Sequence, residues 1–331
     1  MRYFIERTVQ AVVTVFAVIT GAFVLTRLMP GGPMDYIRAQ LAQQNMPSTQ
    51  VNIEVEQLTG IDPDAPIWVQ YVEYMGNLFQ GEMGQSIYYD RPVGTIIVEA
   101  LPWTAFVMSI ALIISFTLAV VLGAFLAYYE GSQTDTVGSL VATLLNSIPY
   151  YVAAIVFLLV FSYQLQLFPT GGNISSGTEA SLSVTFLVDA LWHAAMPIAS
   201  FVVTTFGLQA LAMRGNSIRV LGEDYLRVAR LRGLPDRRIG IMYVGRNAIL
   251  PLYTEFMIAI GFMFGGSIIL EQIFSYPGIG FYLFQSISSR DFPLMMGTFI
   301  VITLSVTLAV YVADLTYGLA DPRAGGDNES Y

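Results

Sequence analysis

Six stretches of this chain are too long and too apolar for a water-soluble domain. A helix that crosses the hydrocarbon core of a bilayer needs about 20 predominantly apolar residues. Val9–Leu28, Thr104–Tyr129, Val137–Tyr163, Leu191–Met213, Ile249–Leu270 and Pro293–Leu315 all reach that length. Each contains Gly, Ala, Ser or Thr, which let helices approach one another closely in lipid. The expected fold is all-α and membrane-integral, with six transmembrane helices. Arg2 and Arg7 precede the first stretch as in a secretory signal. That stretch outruns the usual signal core of about 7–15 residues and no small-x-small site follows, so it reads as an uncleaved anchor.

Composition narrows the chemistry. Charged residues make up 12% of the chain, against about 25% in an average soluble domain. There is no cysteine, and all 15 basic residues are arginine. Disulfide frameworks, thiolate metal sites and cysteine nucleophiles are therefore excluded. The phosphate-binding Gly-x-x-x-x-Gly-Lys-Ser/Thr loop is excluded with its lysine. His193 is the single histidine, which leaves no multi-histidine metal site. No metal and no cofactor is expected on this chain, and if energy is used another chain must bind the nucleotide. The net charge of −9 argues against nucleic acid, which calls for a basic face.

Arginine placement orients the spans through the positive-inside rule. Between the fourth and fifth stretches, Arg214, Arg219, Arg227, Arg230, Arg232, Arg237, Arg238 and Arg246 face Glu223, Asp224 and Asp236, a net of +5. This loop is expected in the cytoplasm, and an even number of spans puts both termini there too. Residues 29–103 carry Arg38 and Arg91 against nine carboxylates and are expected outside. That segment is too long for a plain loop. Trp68, Tyr71, Val72, Met75, Leu78 and Phe79 recur there at helical spacing, so a small extracytoplasmic cap with at least one amphipathic helix is expected. The chain then divides into residues 1–28 (N-terminus and first helix), the cap over 29–103, and a five-helix core over 104–319. The core includes the cytoplasmic loop 214–248, and a tail over 320–331 closes the chain, with Asp327–Tyr331 expected to be disordered.

The cytoplasmic loop is the most specific part. Leu221, Tyr225, Val228, Ala229 and Arg232 fall at i, i+3 and i+4 spacing, one face of a short helix. Gly233 can adopt the left-handed cap and Pro235 blocks continuation, so the helix should stop there. Ala229 and Gly233 are small enough to let another surface approach, and the surrounding arginines suit carboxylates. Two readings follow from the residues alone: a helix that enters a partner's groove, or a helix that lies on anionic lipid.

At these residues the chain resembles the coupling loop of type I ATP-binding-cassette importer permeases, most closely the dipeptide, oligopeptide and nickel branch. The branch pattern reads like Glu-Asp-Tyr-Val-Arg-Thr-Ala-Arg-Ala-Lys-Gly-Leu. Glu223, Asp224, Tyr225, Arg227, Ala229, Arg230, Gly233 and Leu234 match it, Arg232 replaces the lysine, and Arg238, Arg246, Asn247 and Pro251 continue it. The general family begins Glu-Ala-Ala, whereas Arg227 and Val228 stand before Ala229 here. Further segments match in order: Pro30, Gly31 and Pro33; Gly81, Gly84 and Ser86; Ile148, Pro149 and Tyr150; Pro169 and Gly172. Glu271, Phe274, Pro277, Gly278 and Gly280 follow, then Arg290, Asp291 and Pro293, and finally Asp314, Tyr317, Asp321, Pro322 and Arg323. The resemblance implies a permease of the cytoplasmic membrane that moves peptides or related small solutes by alternating access. It implies a homologous second permease, two cytoplasmic ATPase subunits that hold ATP and Mg, and an external substrate-binding protein. Residues 223–234 would transmit ATPase closure.

Three other features are candidates. Glu255 lies inside the fifth stretch, where an isolated charge is expensive. It is either a residue of the translocation path or subunit interface, or a hydrogen-bonded packing residue. Pro277, Gly278 and Gly280 have turn chemistry, and the resemblance places them in an external loop near the docking face for the binding protein; a plain structural turn is the alternative. Asp189 and His193 read as a polar contact near the outer end of the fourth span. A stand-alone secondary transporter or channel, which would be expected to show inverted repeats, and a membrane-embedded enzyme, which needs convergent catalytic groups, remain as rivals.

Overall fold

A computed structural model of the protein describes residues 2–28, 33–43, 47–178, 183–265 and 268–320. Pro30, Gly31, Gly32, the closing Asp321–Pro322–Arg323 and the tail Asp327–Tyr331 lie outside the described residues. The structure is all-α apart from one two-stranded antiparallel ribbon. It divides into two compact units.

The first unit takes residues 1–105, 264–272 and 277–315. Helix α1 (Arg2–Leu28) is followed by α2 (Pro33–Gln43), α3 (Ser48–Thr59) and α4 (Ile67–Phe79). The ribbon pairs β1 (Gln85–Ser86) with β2 (Arg91–Pro92), and α5 (Val93–Tyr128) begins in this unit. In the segment expected to form a cap, Ile37 and Leu41 pack on Val51, Val55 and Ile61. Arg38 clasps this core from outside, reaching Asn52 (3.0 Å) and Asp64 (2.5 Å).

Helix α4 occupies the stretch where helical spacing predicted an amphipathic helix, but its apolar residues divide between two faces. Tyr71, Tyr74, Met75 and Leu78 pack with Ile19 of α1 and Ile300, and the Tyr71 and Thr20 hydroxyls are 2.7 Å apart. Ile67, Trp68, Val72 and Phe79 remain exposed. Tyr74 belongs to the inward set and Trp68 does not, because positions 71, 74, 75 and 78 form the narrower i, i+3, i+4, i+7 stripe.

The second unit takes residues 106–263, 273–276 and 316–331. It holds the rest of α5, then α6 (Gln133–Asn146), α7 (Tyr150–Phe157) prolonged by a π-helical segment Leu158–Gln164, and α8 (Val184–Leu221). The short α9 (Asp224–Leu231) and α10 (Asp236–Arg238) follow, then a second π-helical segment Ile239–Gly245 and α11 (Arg246–Phe262). Close helix approach relies on small residues: a Cβ on Gly207 would meet the backbone of Ala142, and one on Gly123 would meet Ala210 and Met213. The guanidinium of Arg214 donates to both carboxylate oxygens of Asp135, at 2.5 and 2.7 Å, and ties α8 to the first turn of α6.

Helices α12 (Ile268–Ile273), α13 (Ile279–Ser289) and α14 (Phe292–Ala320) are the last among the described residues, and lie mostly in the first unit. Within the described residues, four helices are long and apolar enough to cross a membrane: Ile5–Arg27, Val93–Tyr128, Val184–Leu221 and Phe292–Val312. The expected third span is broken. Gln133–Asn146 and Tyr150–Gln164 meet at 86°, because Pro149 lacks the amide proton a continuous helix needs and disfavours helical geometry at Ile148. The expected fifth span is interrupted as well, with α11 ending at Phe262 and residues 263–265 in a turn before α12.

The start of α14 is held by a buried carboxylate. Asp291 is 1% exposed and accepts from Leu294 N–H (3.2 Å), Ser86 Oγ (2.5 Å) and Tyr88 N–H (3.1 Å). It caps α14 and fastens the β-ribbon to it with the same two oxygens. Asp291→Ala removes the cap and strands a partly buried Tyr88 amide. It should cost about 2 kcal/mol, read as a lower denaturation midpoint in detergent, with Asp291→Asn intermediate.

Candidate functional site

The loop between α8 and α11 forms a compact hairpin built on α9. Glu223 stands at its N-cap, and at its C-terminal end Leu234 N–H donates to Ala229 O (3.3 Å). This reversal requires a left-handed residue. Gly233 supplies it with φ +71°, and nothing lies within 4 Å of the position its Cβ would take. Glycine is therefore needed for its backbone conformation, and the space beside it is open. Pro235 follows in extended geometry and starts α10.

The spacing predicted that Ala229 would face a partner; the structure turns it inward. Ala229 is 3% exposed and packs with Leu226 against Ile239 and Val244, flanked by Val220, Leu221, Leu234 and Tyr243. Leu226 and Ala229, three residues apart, are the pair that the fold of the hairpin itself consumes. The outward face carries Tyr225, Val228 and Leu231, the last 82% exposed. Asn247 Nδ2 donates to the Tyr225 hydroxyl (3.2 Å) and braces α9 to the first turn of α11. Around this apolar stripe Asp224, Arg227, Arg230 and Arg232 are all exposed, as are Arg219, Arg237, Arg238 and Arg246. Of the eight arginines in the loop, only Arg214 pairs with a carboxylate among the described residues. A leucine and a valine thus stand in water or at a surface, within a ring of unneutralised guanidinium groups.

Glu255 lies on the exposed side of α11. A carboxylate at this exposed position is not packed inside its own unit.

The 277–280 turn is a structural joint. Glu271 on α12 is 2% exposed. Thr104 Oγ1 donates to its Oε1 (2.7 Å), and Phe281 N–H donates to its Oε2 (2.9 Å). Ile279 N–H in turn donates to Thr104 Oγ1 (2.8 Å). A Cβ on Gly278 would fall 2.5 Å from Glu271 Cδ, and one on Gly280 2.7 Å from Ile268 Cα. Both glycines are buried against the acid, and Pro277 is half-buried. Whatever docks nearby does not meet the glycines themselves. In the second unit, Gly172 N–H donates to Phe274 O (3.1 Å). Asp189 accepts from the amide and hydroxyl of Ser175, each at 2.7 Å, and His193 Nδ1 lies 3.5 Å from its carboxylate. That is the polar contact expected of Asp189 and His193. Glu271 and Asp291 are the polar residues whose importance the sequence reading missed. The visible signal was a lone acid inside the apolar run Ile268–Phe274, immediately before a Pro-Gly-x-Gly turn.

Residues 119–326 match the family of binding-protein-dependent transport system inner membrane components. Residues 1–109 match the N-terminal region of the same membrane components. The chain belongs to this family. It is a permease subunit of an ATP-binding-cassette importer, with the family's all-α fold, and it is a multi-pass protein of the inner membrane. An oligopeptide transport system permease protein of Bacillus subtilis is 30% identical over 324 residues, covering 97% of this chain and 98% of the relative. A di/tripeptide transport system permease protein of Pseudomonas aeruginosa is 31% identical over 339 residues, covering 98% of each. Membership of a transport family sets aside the membrane-enzyme reading.

Glu271→Gln keeps an acceptor for one donor and presents an amine where the other needs an oxygen. It should lose roughly 1–3 kcal/mol of stability, and Glu271→Ala more, both read as the denaturation midpoint of the purified permease.

Proposed function

We propose that this permease imports peptides or related small solutes by alternating access, driven by separate ATPase subunits that dock on the outward face of α9. The observation that carries this is the exposed Tyr225–Val228–Leu231 stripe on a helix whose opposite face is packed into its own hairpin. A helix braced in this way can pass on a push, because it cannot roll without unpacking Leu226 and Ala229. Exposed leucine ringed by arginine fits an apolar groove with an acidic rim, the helix-in-groove arrangement. In this reading ATP and Mg are held by two ATPase subunits, a homologous second permease completes the pathway, and an external binding protein delivers the solute. Glu255 faces the pathway or the second permease. The peptide class comes from the relatives, which are oligopeptide and di/tripeptide permeases.

Arginine placement puts residues 214–248 and both termini in the cytoplasm, with residues 29–103 outside. The absence of native cysteine makes this simple to test. Arg237→Cys should react with an impermeant thiol reagent only from the cytoplasmic side, and Asp62→Cys only from the external side. The reverse pattern would overturn the orientation.

Leu231→Asp and Val228→Asp each place a charge on the docking stripe and leave the inward Leu226–Ala229 pair intact. If either residue is a binding hot spot worth about 2 kcal/mol, ATPase co-purification should weaken about 30-fold and uptake should fall with it, while membrane insertion stays normal. Unchanged co-purification and uptake in both variants would sink the coupling assignment. Binding of α9 to anionic vesicles with no effect on the ATPase would favour the lipid-surface reading. Uptake into liposomes by this chain alone would favour a stand-alone transporter.

A further inference from the structure

Helix α4 has three faces, and two of them are occupied. Gln70, Glu73 and Asn77, at i, i+3 and i+7, are tied to the turn that leads into the helix. Gln70 Nε2 donates to Ala65 O (2.8 Å), Asn77 Nδ2 donates to Gly60 O (2.6 Å), and a Glu73 oxygen accepts from Asp62 N–H (3.2 Å). Glu73 is the only charged residue in the helix. On the second face Tyr71, Tyr74, Met75 and Leu78 pack with α1 and Ile300 of α14. The third face is Trp68, Val72 and Phe79, which fall on one line at i, i+4 and i+11. These three side chains are 71%, 62% and 78% exposed, and no polar side chain interrupts them.

The level of α4 along the membrane can be read on two neighbouring spans. The Tyr71 hydroxyl meets that of Thr20, which stands about two turns inside the Arg27 end of the apolar span Ile5–Arg27. Ile300 stands about two turns inside the Phe292 end of the span Phe292–Val312. Helical rise puts both contacts roughly 11 Å below the span ends, and the hydrocarbon core is about 30 Å thick. Helix α4 therefore packs within the outer part of the apolar layer and not in the water above it. Beyond Thr20, α1 itself exposes Val24 and Leu25, so apolar surface continues on both helices. A water-facing cap would gain nothing from exposing such a stripe. A protein partner would be expected to meet hydrogen-bonding groups among the apolar anchors. This face offers one, the Trp68 indole N–H, and tryptophan concentrates at the headgroup level of membranes.

We propose that α4 is an interfacial helix whose Trp68–Val72–Phe79 stripe is seated among the upper acyl chains of one membrane leaflet. The leaflet is the outer one in the orientation proposed above, and only that choice rests on it. Lipid then covers the third face as the turn and the two spans cover the others. The cap is thereby held down beside α1, with its α2–α3 core carried on a helix that is itself anchored in the membrane.

The chain has no native cysteine, so single fluorescent labels test this directly. Val72→Cys and Phe79→Cys are each labelled in the full chain, reconstituted with its co-purifying subunits into phosphatidylcholine vesicles. Glu56→Cys, at an exposed position of α3, is the control. Lipid brominated in the upper acyl chain should quench both stripe labels about twofold more than lipid brominated near the methyl end, as expected of a helix seated about 5–10 Å into the boundary. The Glu56 label should be unchanged. Absence of quenching at either stripe position, or equal quenching at Glu56, would overturn the proposal. So would a cross-link from a stripe position to another subunit without quenching, which would assign the face to that protein. The readout requires no transport, so failure of the ATPase-coupling assignment would leave it intact.

Discussion

A carboxylate set among apolar side chains is tolerated only where donors converge on it, and in this protein two such carboxylates hold the first unit together. Glu271 gathers the Thr104 hydroxyl and the Phe281 amide. Asp291 gathers the amide of Leu294, the hydroxyl of Ser86 and the amide of Tyr88. Each joins a late helix to the start of α5 or to the ribbon before it. The glycines beside Glu271 follow from it, since Gly278 and Gly280 occupy ground that any side chain would contest with the acid. What reads as a flexible turn in sequence is therefore shaped around a fixed polar centre.

The second unit uses a different device. Its helices close on small residues, and one ion pair between Asp135 and Arg214 fixes α6 to α8. The hairpin beyond α8 then becomes a separate object with its own core of Leu226, Ala229, Ile239 and Val244. Division of labour within eight residues is the result: one side of α9 makes the hairpin rigid, and the other is left available. A helix this short has little stability of its own, so the inward packing is what allows an outward leucine to hold its position.

Local features of this architecture were legible in the sequence and distant ones were not. The α4 boundaries, the left-handed Gly233 and the stop at Pro235 follow from spacing and backbone chemistry within a few residues. Pro149 was also visible, but the apolar residues on either side of it hid a sharp bend inside what looked like one span. Ala229 was assigned to the wrong face because a small residue reads equally well as a docking position or as an internal packing position. Glu271 and Asp291 stood out only as matches to the family pattern, and their structural role was not legible because their partners are 167 and 205 residues away in the chain. No spacing rule reaches that far.

The arginine ring around Leu231 bears on time as well as affinity. The field of these guanidinium groups extends about 8–10 Å at ordinary ionic strength. A partner with an acidic rim would be drawn in by that field before any apolar contact forms, which governs the rate of encounter. The leucine acts only after contact, when it is buried and slows escape. If α9 docks as proposed, salt would delay assembly of the transporter, and the lifetime of the assembled state would rest on the exposed Tyr225–Val228–Leu231 stripe.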